Sequence, residues 1–480
     1  MTITTHQAFK TLIHGEWNES QSKATIEINS PHKNDLIGSV PSLSQEELND
    51  SIEKTVAAQD QWAQTSLQER AEILNKWADI LEERQEDIGE TIMQEVAKKK
   101  SSAVSEVSRT ADYIRHTVED ALRIHGEVMR GDSFKGGSPS KIGMVEKEPL
   151  GTILAIGPFN YPVNLSASKV APALMMGNSV IFKPATQGAI SGIKMIEALI
   201  DAGLPKSLVT LATGRGSVIG DYLVQHPGVD MITFTGGTGT GRHIAQLSTM
   251  VPLVLELGGK DPAIVLNDAD LDKAAEEIVA GAYSYSGQRC TAIKRVLVQD
   301  EVADQLVERI TNKVKSLKVG MPEDNAVITP LINTKSADFV QSLIDDAKNQ
   351  GASVLVGDKR EDNLIYPTLL DHVTSDMKVA WEEPFGPVLP IIRISNENEA
   401  IELSNQSDYG LQASVFTKDT ENAMKIADKL KVGSVQINAK TERGPDHFPF
   451  LGVKGSGLGV QGIRNSLLSV VRDKVKILNM

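Results

Sequence analysis

A regular alternation of short apolar runs and helical stretches begins at Gly151 and limits what this chain can fold into. Strands that alternate with helices in this way indicate βαβ units and a parallel sheet. The predicted strands are Thr152–Ile156, Ser179–Phe182, Leu208–Leu211 and Met231–Phe234. The predicted helices between and after them are Ser166–Met175, Gly188–Asp201, Val218–Gln225 and Gly239–Leu247.

A second α/β run follows the segment LELGGKD at 255–261, a strand that ends in two glycines and is a candidate hinge. Its predicted strands are Ala263–Leu266, Lys294–Val298, Ser353–Val356, Leu389–Ile394, Ala413–Phe416 and Ser434–Ile437. Its predicted helices are Ala269–Ala282, Val302–Lys318, Ser336–Asn349 and Asn422–Leu430. A chain of 480 residues exceeds one hydrophobic core, so two or three domains are expected.

The segments outside these two runs differ in character. Strands are predicted at 26–28 and 36–40, and Ser44 with Glu47 forms a capping box that starts a helix. Helices are predicted over Leu67–Val96 and Ser101–Ile124. The polar, glycine-rich segment 126–148 predicts a protruding hairpin, and Ser469–Leu478 predicts an extended strand.

Composition narrows the class of protein. A net charge of −14 argues against bulk binding to nucleic acid or an anionic membrane, although local arginines can still bind a small anion. The sequence has no apolar stretch of membrane-spanning length and no secretory signal pattern. A single cysteine cannot form an intrachain disulfide or a cysteine-based metal site, so we expect no metal and a cytoplasmic location.

That cysteine, Cys290, lies in the segment YSGQRCT at 285–291. It is either an inert buried side chain or a nucleophile. Gly287 permits close approach of the backbone, and Arg289 adds positive charge that favours a thiolate. A polar, glycine-containing segment is not typical of a cysteine that fills a core, so the neighbours favour the nucleophile.

Glycine-rich loops are the candidate phosphate sites. The pattern G-x-G-x-x-G at 457–462 follows no predicted strand, so we interpret it as a loop. Residues 235–241 follow a strand and open a helix, where free N–H groups can meet a pyrophosphate; Gly214–Gly216 is a second candidate. Lys183 and Thr186 follow the predicted strand Ser179–Phe182, where the ribose of a dinucleotide would lie. A carboxylate at this place would pair with a free 2′-hydroxyl of the ribose. Lys183 and Thr186 offer hydrogen-bond donors instead, which indicates the 2′-phosphate of NADP.

Two further polar residues occupy positions suited to catalysis. Asn160, after the strand 152–156, is either an oxyanion donor or an ordinary turn residue. Glu256 lies in an otherwise apolar strand, so it either moves protons or is paired structurally.

Taken together, these segments resemble the aldehyde dehydrogenase superfamily over nearly the whole chain. The marks are PFNYP at 158–162, FKPAT at 182–186, FTGGTGTG at 234–241, LELGGKD at 255–261, GQRC at 287–290 and EEPFGPV at 382–388. More narrowly, SGQRCTAIKRVLV, RGPDHFPFLGVKGSG and Arg109 resemble the non-phosphorylating glyceraldehyde-3-phosphate dehydrogenases, which use NADP. Gly237 and Ala185 depart from the residues that many relatives carry.

The resemblance implies roles for individual residues. Cys290 would attack the aldehyde, Asn160 would hold the oxyanion, and Glu256 would activate the water that hydrolyses a thioester. The implied cofactor-binding residues are Lys183, Thr186, Asp221, Thr235, Gly236, Gly237, Glu383 and Phe385. The implied substrate-binding residues, three of them arginines suited to a phosphate, are Arg109, Tyr161, Arg289, Thr291 and Arg443. Pairing of some of these arginines with acidic neighbours is the alternative, and for Arg443 both remain open.

The implied α/β architecture has a Rossmann-type NADP-binding domain, an α/β catalytic domain and a small β oligomerisation element in a tetramer. The NADP-binding domain is expected over residues 1–125 and 150–256, and the catalytic domain over 257–440. The oligomerisation element and C-terminal segment are expected over 126–149 and 441–480. The implied reaction oxidises D-glyceraldehyde 3-phosphate to 3-phosphoglycerate without inorganic phosphate. Two alternatives remain: a dehydrogenase for an unphosphorylated aldehyde such as a semialdehyde, and a cysteine hydrolase or acyltransferase that needs a histidine near Cys290.

Overall fold

The computed structural model describes residues 7–480. The chain opens with strands Thr25–Asn29 and Leu36–Pro41, paired antiparallel, and Gln7–Ala8 adds to the second of these in parallel. A hairpin of Thr11–Ile13 and Glu16–Asn18 packs against the strand Val209–Leu211. The predicted capping box is confirmed: the Ser44 hydroxyl accepts from the Glu47 N–H, and the Glu47 carboxylate accepts from the Ser44 N–H, at the start of helix Gln45–Gln64.

A group of helices follows, and here one sequence prediction is wrong. The stretch predicted as one helix over 67–96 is two helices, Leu67–Glu83 and Gln85–Val96, with the break at Arg84 (φ −96°, ψ 10°). The apolar periodicity continues across the break because both helices bury a face against the helix Lys100–Ala121. Periodicity therefore could not reveal the change of direction.

The first large sheet carries the parallel strands predicted from 151 onward. Its order is Val209–Leu211, Ser179–Lys183, Thr152–Ile156, Met231–Thr235, Leu253–Glu256 and Gly457–Leu458, the last pairing antiparallel. The helices that cover it are Asn164–Met175, Ala189–Asp201, Gly216–Gln225 and Thr238–Leu247. Chain direction across the sheet switches between Thr152–Ile156 and Met231–Thr235, and ligands of such sheets bind at the carboxyl ends of the strands there.

The second sheet confirms the six predicted strands and adds one that was missed. Its order is Ser353–Val356, Thr368–Asp371, Val388–Ile394, Arg295–Gln299, Pro262–Val265, Gln412–Phe416 and Ser434–Ile437. All neighbours pair in parallel except the first two. The helices on its faces are Leu271–Tyr283, Asp300–Lys315, Thr334–Asn349, Glu397–Gln406 and Thr420–Lys429. Apolar clusters on both faces bury this sheet, as expected for parallel strands.

The predicted hairpin and the predicted C-terminal strand join in one antiparallel sheet. Its strands are Glu127–Arg130, Lys141–Pro149 and Val471–Asn479. Val128, Phe134 and Ile477 remain largely exposed on it.

The segment 441–470 lies apart from this sheet. The helix Ile463–Ser469 packs on Lys100–Ala121, and Val453–Lys454 pairs with Tyr409–Gly410. Across residues 7–480, no helix has the length and apolar character that crossing a membrane requires.

Candidate active site

A cleft of about 1100 Å³ opens at the carboxyl ends of the first sheet's strands and reaches Cys290. Its walls include most of the residues predicted to hold the cofactor: Lys183, Asp221, Thr235, Gly236, Gly237, Glu383 and Phe385. Asn160 lines it as well. Thr186 is not among the lining residues, whereas its neighbour Ala185 is.

The loop before Cys290 has an unusual backbone. Tyr285, Ser286 and Gly287 all have positive φ, at 54°, 54° and 72°. A Cβ at Gly287 would lie 2.4 Å from the Gly386 carbonyl oxygen, which explains the glycine. Ser286 fixes the loop, because its Oγ donates to the Thr329 carbonyl and accepts from the Thr329 N–H, both at 2.8 Å. The conformation presents Cys290 to the cleft.

Burial of Cys290 keeps its thiol protonated at neutral pH. Burial raises the pKa of Cys290 to about 11, and the ammonium of Lys294 opposes that rise. Lys294 donates to the carbonyl of Cys290 itself and lies 2.8 Å from the Glu383 carboxylate. Lys294 thus links the reactive residue to a predicted cofactor contact.

Asn160 follows the strand Thr152–Ile156 and is buried beside the cysteine loop. Its Nδ2 donates to the Gln288 carbonyl at 3.0 Å. Because an amide nitrogen has two hydrogens, this bond orients the group and leaves one N–H for an oxyanion.

Glu256 ends the strand Leu253–Glu256, and both of its carboxylate oxygens are engaged. Oε2 accepts from the Thr235 hydroxyl at 2.6 Å and lies 3.5 Å from Lys169 Nζ; Oε1 accepts from Arg443 Nη1 at 2.7 Å. Burial raises the pKa of Glu256, but the charges of Arg443 and Lys169 outweigh it, so the pKa is lowered below its usual value. Burial lowers the pKa of Lys169 to about 8.

The other half of the cleft suits an anionic cofactor. The helices Gly216–Gln225 and Thr238–Leu247 both begin at its wall, so their free N–H groups face the space. Within residues 7–480, the Pro184 carbonyl, at 3.2 Å, is the one hydrogen-bond partner of the buried Lys183 Nζ, and burial lowers the pKa of Lys183 to about 8. A buried ammonium that no carboxylate of residues 7–480 neutralises fits a phosphate group. Asp221 pairs with His243, at 2.9 Å.

Of the three arginines predicted to bind the substrate, Arg109 and Arg443 lie together and Arg289 lies elsewhere. Arg109, about half exposed, contacts Asp446 at 3.2 Å and donates to the Arg443 carbonyl at 3.1 Å. Arg443 Nε lies 3.7 Å from the same Asp446. Arg289 is buried and donates to the Gly281 carbonyl at 2.6 Å, facing neither of them.

The remaining two predicted substrate residues lie close to the cysteine loop. The Tyr161 ring packs edge-on against Tyr285, with Lys98 Nζ 3.6 Å from its centroid. Thr291 is buried, and its carbonyl accepts from the Thr441 hydroxyl at 2.8 Å.

Comparison with known proteins gives a consistent result. The family model described as "Aldehyde dehydrogenase family" matches residues 17–475. The chain belongs to the aldehyde dehydrogenase family. The family predicted from six motifs is therefore confirmed.

Individual members of the family are similar over nearly the whole length. A Streptococcus equinus protein named NADP-dependent glyceraldehyde-3-phosphate dehydrogenase is 55% identical over 472 residues, covering 98% of this chain and 99% of that protein. A Pisum sativum protein of the same name is 49% identical, covering 98% and 95%. The crystal structure of a protein with this name from Bacillus halodurans C-125, complexed with NADP, is 64% identical, with TM-score 0.98 over 99% of this chain and all of that one.

Several residues of this aldehyde dehydrogenase site were missed from the sequence. Lys169 contacts Thr235, and Asp446 contacts Arg109, across 66 and 337 positions of the chain. Gln461 contacts Arg443 across 18 positions. Lys294 had a signal, since a lysine four residues after a reactive cysteine places positive charge near it. Among residues 7–480, no cluster of side chains suited to a metal ion was found.

Proposed function

We propose that this aldehyde dehydrogenase oxidises D-glyceraldehyde 3-phosphate to 3-phosphoglycerate with NADP and water, without inorganic phosphate. The observation that carries the proposal is the pairing of two sites in one cleft: Cys290 with Asn160 at one end, and the unneutralised Lys183 at the other. The guanidinium groups of Arg109 and Arg443, gathered at Asp446, support a phosphorylated substrate. The names of the similar proteins agree with it.

The residues divide the proposed reaction into two stages. In the first, the Cys290 thiol loses its proton to solvent and the sulfur bonds to the aldehyde carbon, while the C=O double bond opens and the Asn160 N–H stabilises the oxygen as an anion. NADP, when bound, supplies the acceptor for the hydride that leaves this carbon, and a thioester remains on Cys290. In the second, Glu256 takes a proton from water and the water oxygen bonds to the thioester carbon. The C–S bond then breaks to release the acid, and the Cys290 thiolate that leaves regains a proton, which Glu256 can return.

The test is NADPH formation, followed by absorbance, with D-glyceraldehyde 3-phosphate and NADP and no added inorganic phosphate. Parallel reactions contain NAD, or unphosphorylated D-glyceraldehyde. We expect turnover with NADP and a much higher kcat/KM for the phosphorylated aldehyde. Absence of turnover in Cys290→Ser is the matched control, and full turnover in that variant would contradict the mechanism.

A second candidate is an aldehyde dehydrogenase for an unphosphorylated aldehyde. A Methanococcus aeolicus protein named lactaldehyde dehydrogenase is 36% identical over 474 residues, and the same arginines could bind a carboxylate. Equal kcat/KM values for phosphorylated and unphosphorylated substrates would favour it. The hydrolase alternative is disfavoured, since the aldehyde dehydrogenase family model matches residues 17–475 of the chain.

We also propose that the sheet of Glu127–Arg130, Lys141–Pro149 and Val471–Asn479 is an oligomerisation element. Its exposed Val128, Phe134 and Ile477 support packing on another subunit, because large apolar side chains rarely cluster on a monomer surface. The proposed tetramer is tested by sedimentation equilibrium. A cytoplasmic location is proposed from the single cysteine, which suits a reducing compartment.

A further inference from the structure

The carboxylate proposed as general base is not available in the conformation described here. Glu256 is absent from the cleft wall that contains Cys290, and its two oxygens are bound by Arg443 on one side and by Thr235 with Lys169 on the other. Each carboxylate oxygen can still accept a second hydrogen bond, but Arg443 and Lys169 hold the buried group off the cleft wall, where the water must attack. Something must therefore release Glu256 before a thioester can be hydrolysed.

Arg443, which donates to Glu256 Oε1, is also one of the arginines predicted to bind the substrate phosphate. Besides Glu256, the Arg443 guanidinium contacts Gln461 Oε1 at 3.1 Å and Asp446 at 3.7 Å. Asp446 in turn accepts from Arg109. The Asp446 carboxylate thus lies between the guanidinium groups of Arg109 and Arg443. The phosphate of a substrate would compete with it for the same N–H donors.

We infer that Arg443 couples occupancy of the anion site to release of the general base. This inference rests on the proposed function. A doubly charged phosphate bound beside Arg109 draws the Arg443 guanidinium away from Glu256, and the freed Oε1 then takes the proton from the attacking water. An aldehyde without the phosphate forms its thioester on Cys290, but its hydrolysis is slow because Arg443 still holds Glu256. Asp446 is a positioning residue that keeps both guanidinium groups in place.

The charge balance supports this assignment. Arg443 is the strongest of the interactions that lower the pKa of Glu256, so the held carboxylate is ionised but a weak base. When a phosphate draws Arg443 away, the pKa of Glu256 rises. Glu256 then becomes a stronger base at the moment when it must take a proton from water. The remaining contact with Thr235 keeps Glu256 near its strand.

The test follows hydrolysis of the acyl-enzyme directly. The wild-type enzyme is acylated with D-glyceraldehyde and NADP, excess aldehyde is removed, and loss of the acyl mass is followed by intact-protein mass spectrometry with and without phosphite dianion. Phosphite supplies the anion in a separate molecule. We expect phosphite to accelerate hydrolysis about tenfold, the factor that corresponds to loss of one charge-assisted contact. No acceleration at saturating phosphite would overturn the inference.

Variants sharpen the result. Arg443→Gln should hydrolyse the unphosphorylated acyl group about tenfold faster than wild type without phosphite, and should no longer respond to it. Arg109→Gln removes the second guanidinium group beside Asp446, so its hydrolysis should respond less to phosphite than that of wild type. A purely structural Arg443 predicts slower hydrolysis in Arg443→Gln, which would contradict us. Turnover of D-glyceraldehyde 3-phosphate by the same wild-type preparation tests the proposed function separately.

Discussion

The acidity of the single thiol can be measured without interference from any other cysteine. Burial raises the pKa of Cys290 to about 11, and Lys294, in contact with the cysteine's own carbonyl, opposes this rise. Because the thiolate is the reactive form, alkylation should be slow at neutral pH and should accelerate steadily with alkali. The perturbation that tests the cause is Lys294→Met, which removes the opposing positive charge.

The magnitudes follow from the pKa. At pH 7 a thiol of pKa near 11 is about 10⁻⁴ ionised, whereas an unperturbed cysteine of pKa about 8.5 is about 3% ionised. The alkylation rate should rise about tenfold per pH unit and show no plateau below about pH 10. Removing the Lys294 charge should raise the pKa further by on the order of one unit, or about 1.4 kcal/mol, and slow alkylation about tenfold.

The assay is alkylation by iodoacetamide between about pH 7 and pH 9.5, read by intact-protein mass in the absence of NADP. Urea-unfolded protein gives the reference thiol, and Lys474→Met, an exposed lysine of the three-stranded sheet, is the matched control that should leave the rate unchanged. A plateau below pH 9 in folded wild type would refute the reasoning. Faster alkylation in Lys294→Met with a native circular-dichroism spectrum would refute the role of Lys294.

Three further outcomes are expected. Gly287→Ala places a Cβ against the Gly386 carbonyl at positive φ, so it should lose roughly 2–4 kcal/mol of stability; an unchanged thermal midpoint would contradict this. Burial raises the pKa of Asp261 to about 7, so its contribution to stability is present below about pH 4 and lost as pH rises through 7. The free energy of unfolding of Asp261→Asn, measured by denaturant titration, should therefore gain on the order of 3 kcal/mol over that of wild type between about pH 5 and 8. Lys183→Met should lower kcat/KM for NADP about 10- to 100-fold and that for NAD less, and an unchanged NADP to NAD ratio would argue against a phosphate contact.

Sequence reasoning succeeded where the signal is local. Parallel strands buried on both faces are continuous apolar runs, so their positions in the chain could be predicted. The strand Thr368–Asp371 was missed because its two leucines stand between a threonine and an aspartate, so its apolar run is only two residues long. The helix Glu397–Gln406 was missed because it is mostly polar. The break at Arg84 has no proline or glycine to mark it.

In the candidate site, too, residues with a local sequence signal could be predicted and long-range contacts could not. Cys290 and Asn160 stand in short motifs whose residue types carry the chemistry, and the structure places both at the cleft. The pairing of Glu256 with Arg443 joins residues 187 positions apart, and a sequence shows that both charges exist but not that they meet. For Arg289 the resemblance implied a substrate contact, which stays a prediction; the structure adds that its guanidinium donates to a carbonyl of the preceding helix, which the sequence does not show.

The late segment around Gly457–Leu458 has a consequence for synthesis of the protein. It supplies the second neighbour of the strand Leu253–Glu256, and the same stretch of chain carries Arg443 and Gln461. A nascent polypeptide that has reached residue 440 already contains the thiol and the glutamate, but that strand edge is open and the carboxylate lacks its guanidinium. The proposed catalytic centre is therefore complete only after residue 461 has been synthesised, and a chain that terminates before residue 457 should expose an apolar strand edge to the cell's quality-control machinery.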